Sequence, residues 1–333
     1  MALLEIRNLT IYYRLSEGWV HAIENVNLDV ENGERLGLVG ESGCGKTTLA
    51  YSITFLLPNN AYLKKGSIKF LGRDLTTVAV RKDGRINMFS EGLREIRWKE
   101  ISIIFQSAMN SFNPVITIGD QIAEAILTHE NIGKEEVRKR IEALFEIVGI
   151  PKDRIDSYPH EYSGGMKQRA MIAMSIALNP KLIIADEPTT ALDVITQDKI
   201  LAELVKLQKE FNSSMIVISH DISIVAQLST RIAIMYAGQI VELALTREIF
   251  KGPRHPYTMA LLKAFPSIKG EKKRLATIQG SPPDLINPPK GCRFSPRCQF
   301  AKERCLIEEP LLREISPGHT VACHFAEEIS GGS

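Results

Sequence analysis

The sequence predicts an α/β protein with a mainly parallel sheet, a helix-rich insertion and a small loop-rich C-terminal extension. Three observations carry that prediction. Short apolar runs such as RLGLV, ISIIF, KLIIAD and SMIVIS lack polar alternation, as strands buried on both faces do. Amphipathic stretches separate them, and parallel strands need such crossover helices. Beyond about residue 245 the periodicity gives way to proline pairs, basic residues and cysteines.

Taken in order, EIRNLTIYY alternates apolar and polar residues and predicts a strand. A turn around SEG leads into VHAIENVNLDV, a second alternating strand, and RLGLV follows as a buried one. GSIKFLG predicts a further short strand, residues 73 to 100 are charged and irregular, and ISIIFQ is again buried. From about 107 to 178 the spacing turns helical, in IGDQIAEAIL, KEEVRKRIEALFEIVGI and MKQRAMIAMSIAL. Strands resume with KLIIADEP, SMIVISHD and RIAIMYAGQIVE, with TQDKILAELVKLQKEFN as an amphipathic helix between the first two. FKGPRHPYTMALLKAFP carries a short helix; the basic run KGEKKR and proline pairs at 282–283 and 288–289 read as loop. The expected organisation is a core over residues 1–245, with the helical block of about 107–178 inserted, and an extension over 246–333.

Composition narrows the function classes. The 333 residues are 44% hydrophobic and 24% charged with net charge +2, so no basic footprint argues for nucleic acid. No run of 18 apolar residues is present to span a bilayer. MALLEIRNLTIYY lacks the basic and apolar regions of an export signal, which places the chain in a reducing cytosol. There, clustered cysteines are more often ligands or catalysts than disulfides.

GESGCGKT, residues 40 to 47, fits G-x-x-x-x-G-K-[ST] between a strand and a helix, a match that chance gives a chain this long about one time in a hundred. Gly40, Gly43 and Gly45 let the backbone wrap phosphates with its N–H groups, while Ser42, Cys44 and Thr48 complete the loop and helix start. Lys46 can reach the β- and γ-phosphates and the Thr47 hydroxyl can ligate Mg²⁺. Cys44 reads as a small filler rather than a nucleophile. LIIADE ends a buried strand in two carboxylates: Asp186, suited to hold Mg²⁺ through water, and Glu187, suited to deprotonate the attacking water. YSGGMKQR places Ser163, Gly164, Gly165 and Met166 at a helix start, a second anion site that suits a nucleotide held by another subunit.

These motifs, with Gln106 after a strand, Asp193 in ALD and His220 in VISHD, stand in the order found in ATP-binding cassette proteins, which residues 3 to 245 resemble. The resemblance implies a P-loop NTPase cassette core, a RecA-like parallel sheet plus an antiparallel β subdomain with an inserted helical subdomain. It makes Tyr13 the adenine-stacking aromatic, with Tyr12 and Trp19 as rivals. Gln106 becomes the lid glutamine that senses Mg²⁺ and the attacking water, Asp193 the D-loop residue and His220 the γ-phosphate switch. SGGMKQ departs from the usual SGGQ at Met166, a side chain that is not the phosphate contact. The tail, HPYTMALLKAFP, GSPPDLINPPKGCRFSPRCQFAKERC and GHTVACHF, resembles the C-terminal extension of dipeptide and oligopeptide importer ATPases. That implies an ATPase on the cytoplasmic face of the membrane, bound to permease subunits and to a second, paralogous ATPase or another copy. An extracellular binding protein would act with it indirectly. Oligosaccharide importer ATPases share this architecture, and a soluble cassette switch protein is the reading from another class.

Cys292, Cys298, Cys305 and Cys323 predict one metal centre. Their C-x5-C-x6-C-x17-C spacing matches neither a zinc ribbon nor a bacterial ferredoxin, and four thiolates satisfy zinc or a cubane cluster alike. The family resemblance selects a [4Fe-4S] cluster, with zinc as the alternative. The expected role is a structural staple well away from the ATP site, because a loop-rich tail gains folding free energy from a metal. His319 and His324 are reserve ligands, and Arg293, Arg297 and Arg304 offset the cluster's charge or serve solubility.

Overall fold

The computed structural model describes residues 2–106, 111–190, 192–264 and 278–329. The chain forms two compact units, one of Met1–Glu31, Arg35–Ser90 and Ser219–Ser333, the other of Asn32–Glu34 and Glu91–Ile218. KGEKKR, the first residues of the predicted helical block and Ala191 of ALD lie outside the described residues.

The first unit opens with β1 (Leu4–Leu15) and β2 (Gly18–Val30), paired antiparallel. Leu4 and Ile6 are fully buried, and so are Leu9 and Ile11: the inward phase shifts by one residue at a register break that contains Asn8, whose φ is 47°. β3 (Arg35–Val39) runs into the glycine loop and α1 (Lys46–Ile53). β4 (Ala61–Phe70) pairs with β1, and β5 (Arg73–Asp74) completes a four-stranded antiparallel sheet of order β2-β1-β4-β5, followed by α2 (Thr76–Ala79). The alternating N-terminal stretches are strands as expected, and their pairing is the antiparallel β subdomain that the cassette resemblance implies.

The second unit runs through α3 (Glu91–Arg94), β6 (Ile101–Ile104), α4 (Ile118–Leu127), α5 (Lys134–Ile147) and α6 (Gly164–Ile176) to β7 (Leu182–Asp186), α7 (Val194–Glu210) and β8 (Ser214–Ser219). β6, β7 and β8 pair in parallel and every residue in them is buried, as their unbroken apolar sequences require. Thr117 starts α4 by accepting the Asp120 N–H at 3.2 Å.

The chain then returns to the first unit with α8 (Ile222–Leu228), β9 (Arg231–Tyr236), β10 (Gln239–Leu245), α9 (Thr246–Lys251) and α10 (Pro256–Lys263). RIAIMYAGQIVE, one strand by its sequence, is two. Ala237 and Gly238 both have positive φ, 47° and 85°, and turn β9 back on β10 as a hairpin. A Cβ on Gly238 would sit 2.9 Å from the carbonyl oxygens of His21 and Ala22, so only glycine fits the turn. β9 pairs in parallel with β3.

The extension is more ordered than its loop-like sequence suggests. It adds α11 (Glu303–Ile307), β11 (Arg313–Ser316) and β12 (His319–Val321), and β12 pairs antiparallel with β10. Glu242, wholly buried on β10, anchors the arrangement. Its carboxylate accepts the backbone N–H groups of Arg254 and His255 at 2.8 and 2.9 Å, and His319 Nε2 lies 2.7 Å away.

Candidate functional site

The glycine loop owes its shape to backbone conformations that side chains resist. Gly43 and Gly45 have φ of 78° and 102°, and a Cβ on Gly45 would meet the Ala22 carbonyl oxygen at 2.5 Å. One on Gly40 would meet that of Met235 at 2.1 Å. Gly45 caps α1 with no side chain to occupy the first amides, which are the groups an anion takes. Lys46 is buried, its Nζ donating to the carbonyls of Gly40 and Glu41 at 2.8 and 2.9 Å. Cys44 Sγ lies 3.8 Å from that Nζ, and burial pushes its thiol up. Ser42 and Thr47 are exposed.

The three candidate aromatics have different neighbours. Tyr13 Oη donates to Thr48 Oγ1 of α1 at 3.1 Å. Tyr12 instead stacks on His21 with ring centroids 4.0 Å apart and donates to Glu24 at 2.7 Å. Trp19 lies under the Lys64 ammonium at 3.5 Å. Tyr13 is thus the one tied to the loop's helix.

In the second unit, Asp186 is fully buried at the end of β7 and Glu187 follows with φ of 47°, a left-handed conformation that turns its side chain out of the strand's alternation. Glu187 accepts from Gln106 Nε2 at 2.8 Å and from Thr190 Oγ1 at 3.0 Å, and its N–H donates to Ile218. Gln106 and Glu187, 81 residues apart, are therefore brought together. Thr190 was not among the sequence candidates; its one signal is that it lies three residues beyond the carboxylate, in EPTT. Asp186 carboxylate and Thr47 hydroxyl are both hard oxygen donors of the kind Mg²⁺ takes.

Ser163 is the N-cap of α6, its Oγ accepting the Met166 N–H at 3.3 Å, and Gly164 and Gly165 form the first turn. Gly165 packs where a Cβ would come 3.1 Å from Thr196 Cγ2. Asp193 caps α7 by accepting the Thr196 N–H at 3.0 Å, and hydrogen bonds from the Thr196 side chain and backbone hold its carboxyl below the usual range. His220 follows β8 and is exposed.

All four extension cysteines are free thiols lining one small cavity whose walls are Phe294, Phe300, Phe325 and Ile329. Cys305 and Cys323 are buried, so the tail has more core than its glycines and prolines suggest. Burial pushes the Cys292 and Cys298 thiols up to about 12 and about 11, with neighbouring thiols adding to the effect. The donor set suits a thiolate-bound metal. As the side chains stand, however, no group of three or more His, Cys, Asp or Glu among the described residues could hold a metal ion, so the expected metal-binding extension is not supported. The reserve ligands are engaged elsewhere: His319 with Glu242, and His324 Nε2 with the Glu308 carbonyl at 2.9 Å.

Two of the three arginines are not surface residues. Arg293 and Arg297 side chains are 5% and 4% exposed and pair with Glu24 and Glu41. Only Arg304 is exposed, paired with Glu308 one helical turn on. Glu41 belongs to the glycine loop, so the extension contacts that loop through Arg297, the residue before Cys298, whereas the staple was expected well away from the ATP site.

A glycine loop opening a helix behind a parallel strand, in a chain with a buried strand that ends in two carboxylates, defines a nucleotide-phosphate-binding protein of the P-loop class. Residues 23–190 match the model of the ABC transporter family, and residues 241–305 match the oligopeptide/dipeptide transporter C-terminal region. The chain is 45% identical over 323 residues to the oligopeptide transport ATP-binding protein OppD of Bacillus subtilis, covering 96% of this chain and 87% of that protein. It is 40% identical over 333 residues to the dipeptide transport ATP-binding protein DppD of Escherichia coli, covering 99% of each. Among solved structures, a dimeric ATP-binding cassette in a post-hydrolysis state with ADP and Pi superimposes with a TM-score of 0.63 at 28% identity, over 73% of this chain and 99% of that one. The chain belongs to the ABC transporter family. Among the described residues, no helix is long and apolar enough to cross a membrane.

Proposed function

We propose that this chain is the ATP-hydrolysing subunit that powers import of short peptides through a membrane transporter. The observation that carries the reading is the conjunction of a loop built for phosphates with a C-terminal region of the oligopeptide/dipeptide transporter type. In this reading Gly40, Ser42, Gly43, Cys44, Gly45, Lys46, Thr47 and Thr48 hold the phosphates and Tyr13 stacks on the adenine. Mg²⁺, taken by Thr47 and by Asp186 through water, offsets the phosphate charge. Glu187 receives the proton of the attacking water, and Gln106 and Thr190 fix its carboxylate in place. His220 contacts the γ-phosphate. Ser163, Gly164, Gly165 and Met166 serve ATP held by a second cassette, with Asp193 beside that junction.

The partners are permease subunits, a paralogous cassette or a second copy, and an extracellular binding protein acting indirectly, with this subunit on the cytoplasmic face. Cys292, Cys298, Cys305 and Cys323 form the thiol set for a [4Fe-4S] cluster, supported by their shared apolar cavity. The experiment is reconstitution of the transporter in vesicles with radiolabelled di- and oligopeptides. ATP-dependent uptake that stops when Glu187→Gln replaces the wild-type subunit supports the reading, whereas uptake of sugars alone refutes it. Iron analysis of anaerobically purified chain tests the cluster, with about four irons per chain expected; zinc or no metal rejects it.

A further inference from the structure

Glu41 is an awkward residue for its position. It is the second residue of a loop that, on the functional reading above, binds the polyanion ATP, and a carboxylate there repels the ligand. The structure answers this charge from the extension. Arg297 grips both Glu41 oxygens, Nη1 to Oε2 at 2.6 Å and Nη2 to Oε1 at 3.0 Å, across 256 residues of sequence. The guanidinium is itself fixed: Nε donates to the Gln279 carbonyl at 2.9 Å, and Nη2 and Nη1 reach the Ile278 carbonyl and Tyr236 Oη at 3.3 Å. Its side chain is only 4% exposed, so water does little to screen the pair. A second tie comes from α10, where Tyr257 Oη accepts the Glu41 backbone N–H at 2.9 Å. Solubility explains none of this, because a solvated arginine would be neither buried nor held by two backbone carbonyls.

We propose that Arg297 is a positioning residue of the ATP site: supplied by the extension, it neutralises and orients Glu41 so that the loop accepts ATP. Arg297 need not touch the nucleotide. It acts on the loop before ATP arrives, so the effect belongs to binding rather than to the hydrolytic step. The inference rests on the ATPase reading, and the experiment separates the two.

The test is Mg-ATP affinity and steady-state ATPase kinetics on the full chain for wild type, Arg297→Met, Glu41→Gln and the double variant. Arg297→Met leaves the carboxylate uncompensated and raises both Kd and KM about tenfold, with kcat changed less than about twofold. Adding Glu41→Gln to Arg297→Met removes the orphaned charge and restores affinity to within about threefold of wild type. Arg297→Lys keeps the charge but loses the two-pronged grip, so KM rises about threefold. If Arg297→Met does not fold, Arg297→Lys carries the test, and an unchanged KM in it overturns the proposal. So does a loss in Arg297→Met that falls on kcat, or one that Glu41→Gln fails to restore, since a purely structural contact behaves that way. A wild-type chain that binds no ATP overturns the functional reading and this inference with it. ATP binding by wild type with unaltered variants sinks this inference alone.

Discussion

The glycine loop and the cysteine-bearing extension meet at Glu41, yet they are specified in opposite ways. In the loop, the residue types answer to conditions a few positions away: positive φ at Gly43 and Gly45, a close carbonyl at Gly40, a helix start at Lys46. The extension's determinants are remote. Arg293 reaches Glu24 across 269 residues and Arg297 reaches Glu41 across 256. Local rules leave a motif, whereas remote charge pairs leave none. A site can therefore be legible in its phosphate contacts and silent about what holds them in place.

The most damaging change tests Glu187, the carboxylate proposed as the base, which neither region supplies. Glu187→Gln should keep ATP binding and lower kcat by about 10²- to 10⁴-fold, because a carboxamide cannot take the water's proton. Near-normal turnover in a single-turnover assay would reject Glu187 as the base. Next, breaking the remote pair that does not touch the glycine loop, Arg293 with Glu24, should cost stability rather than ATP affinity or turnover. Arg293→Met strands Glu24 next to Tyr12 and His21, and chemical denaturation should show a loss of about 3–5 kcal/mol. A loss under about 1 kcal/mol, the range of exposed pairs, would mean the anchor is dispensable.

A third test uses pH. Burial lowers the His255 imidazole to about 4, against the opposing pull of Glu242. The unfolded chain therefore takes up the proton first as pH falls. The stability that neutral His255 contributes is complete above its ordinary value near 6.5 and is lost as pH drops toward 4. Between pH 6.5 and pH 5 the loss should approach about 2 kcal/mol. His255→Asn, which can still accept the Tyr257 N–H as a helix cap, should flatten that slope; an unchanged slope assigns it to other groups. The smallest effect belongs to Thr190→Val. Removing the Thr190 hydrogen bond to Glu187 should lower kcat about five- to tenfold with KM held, and unchanged kcat would make Thr190 a bystander.

Much of the fold was readable because apolar runs and helical spacing are local signals. β6, β7, β8 and α4 fall where ISIIF, KLIIAD, SMIVIS and IGDQIAEAIL place them. The hairpin at Ala237 and Gly238 was missed because alanine is an unusual residue for positive φ and masks the turn. β11 and β12 were missed because four- and three-residue strands carry too little alternation to stand out from loop. In the candidate site, Gln106 and Glu187 were named and the structure joins them. Thr190 lay hidden in a polar run. Arg293 and Arg297 were misread because a charged residue among prolines and glycines looks solvated until its partner is seen.

The pairing of β12 with β10 has a consequence for anyone who shortens this protein. Cutting after residue 245 would strip the partner from β10 and leave its backbone groups as an open sheet edge, flanked by Val241 and Ala244, which are buried in the intact chain. Such an edge recruits other chains, so the truncated protein should self-associate before its ATP chemistry can be judged. The intact chain passes its boundary outward to β11, four residues long and fronted by exposed Arg313 and Glu314, a short charged border that discourages stacking. The extension thus covers an edge that its removal would expose, and point substitutions report on the site more cleanly than deletion.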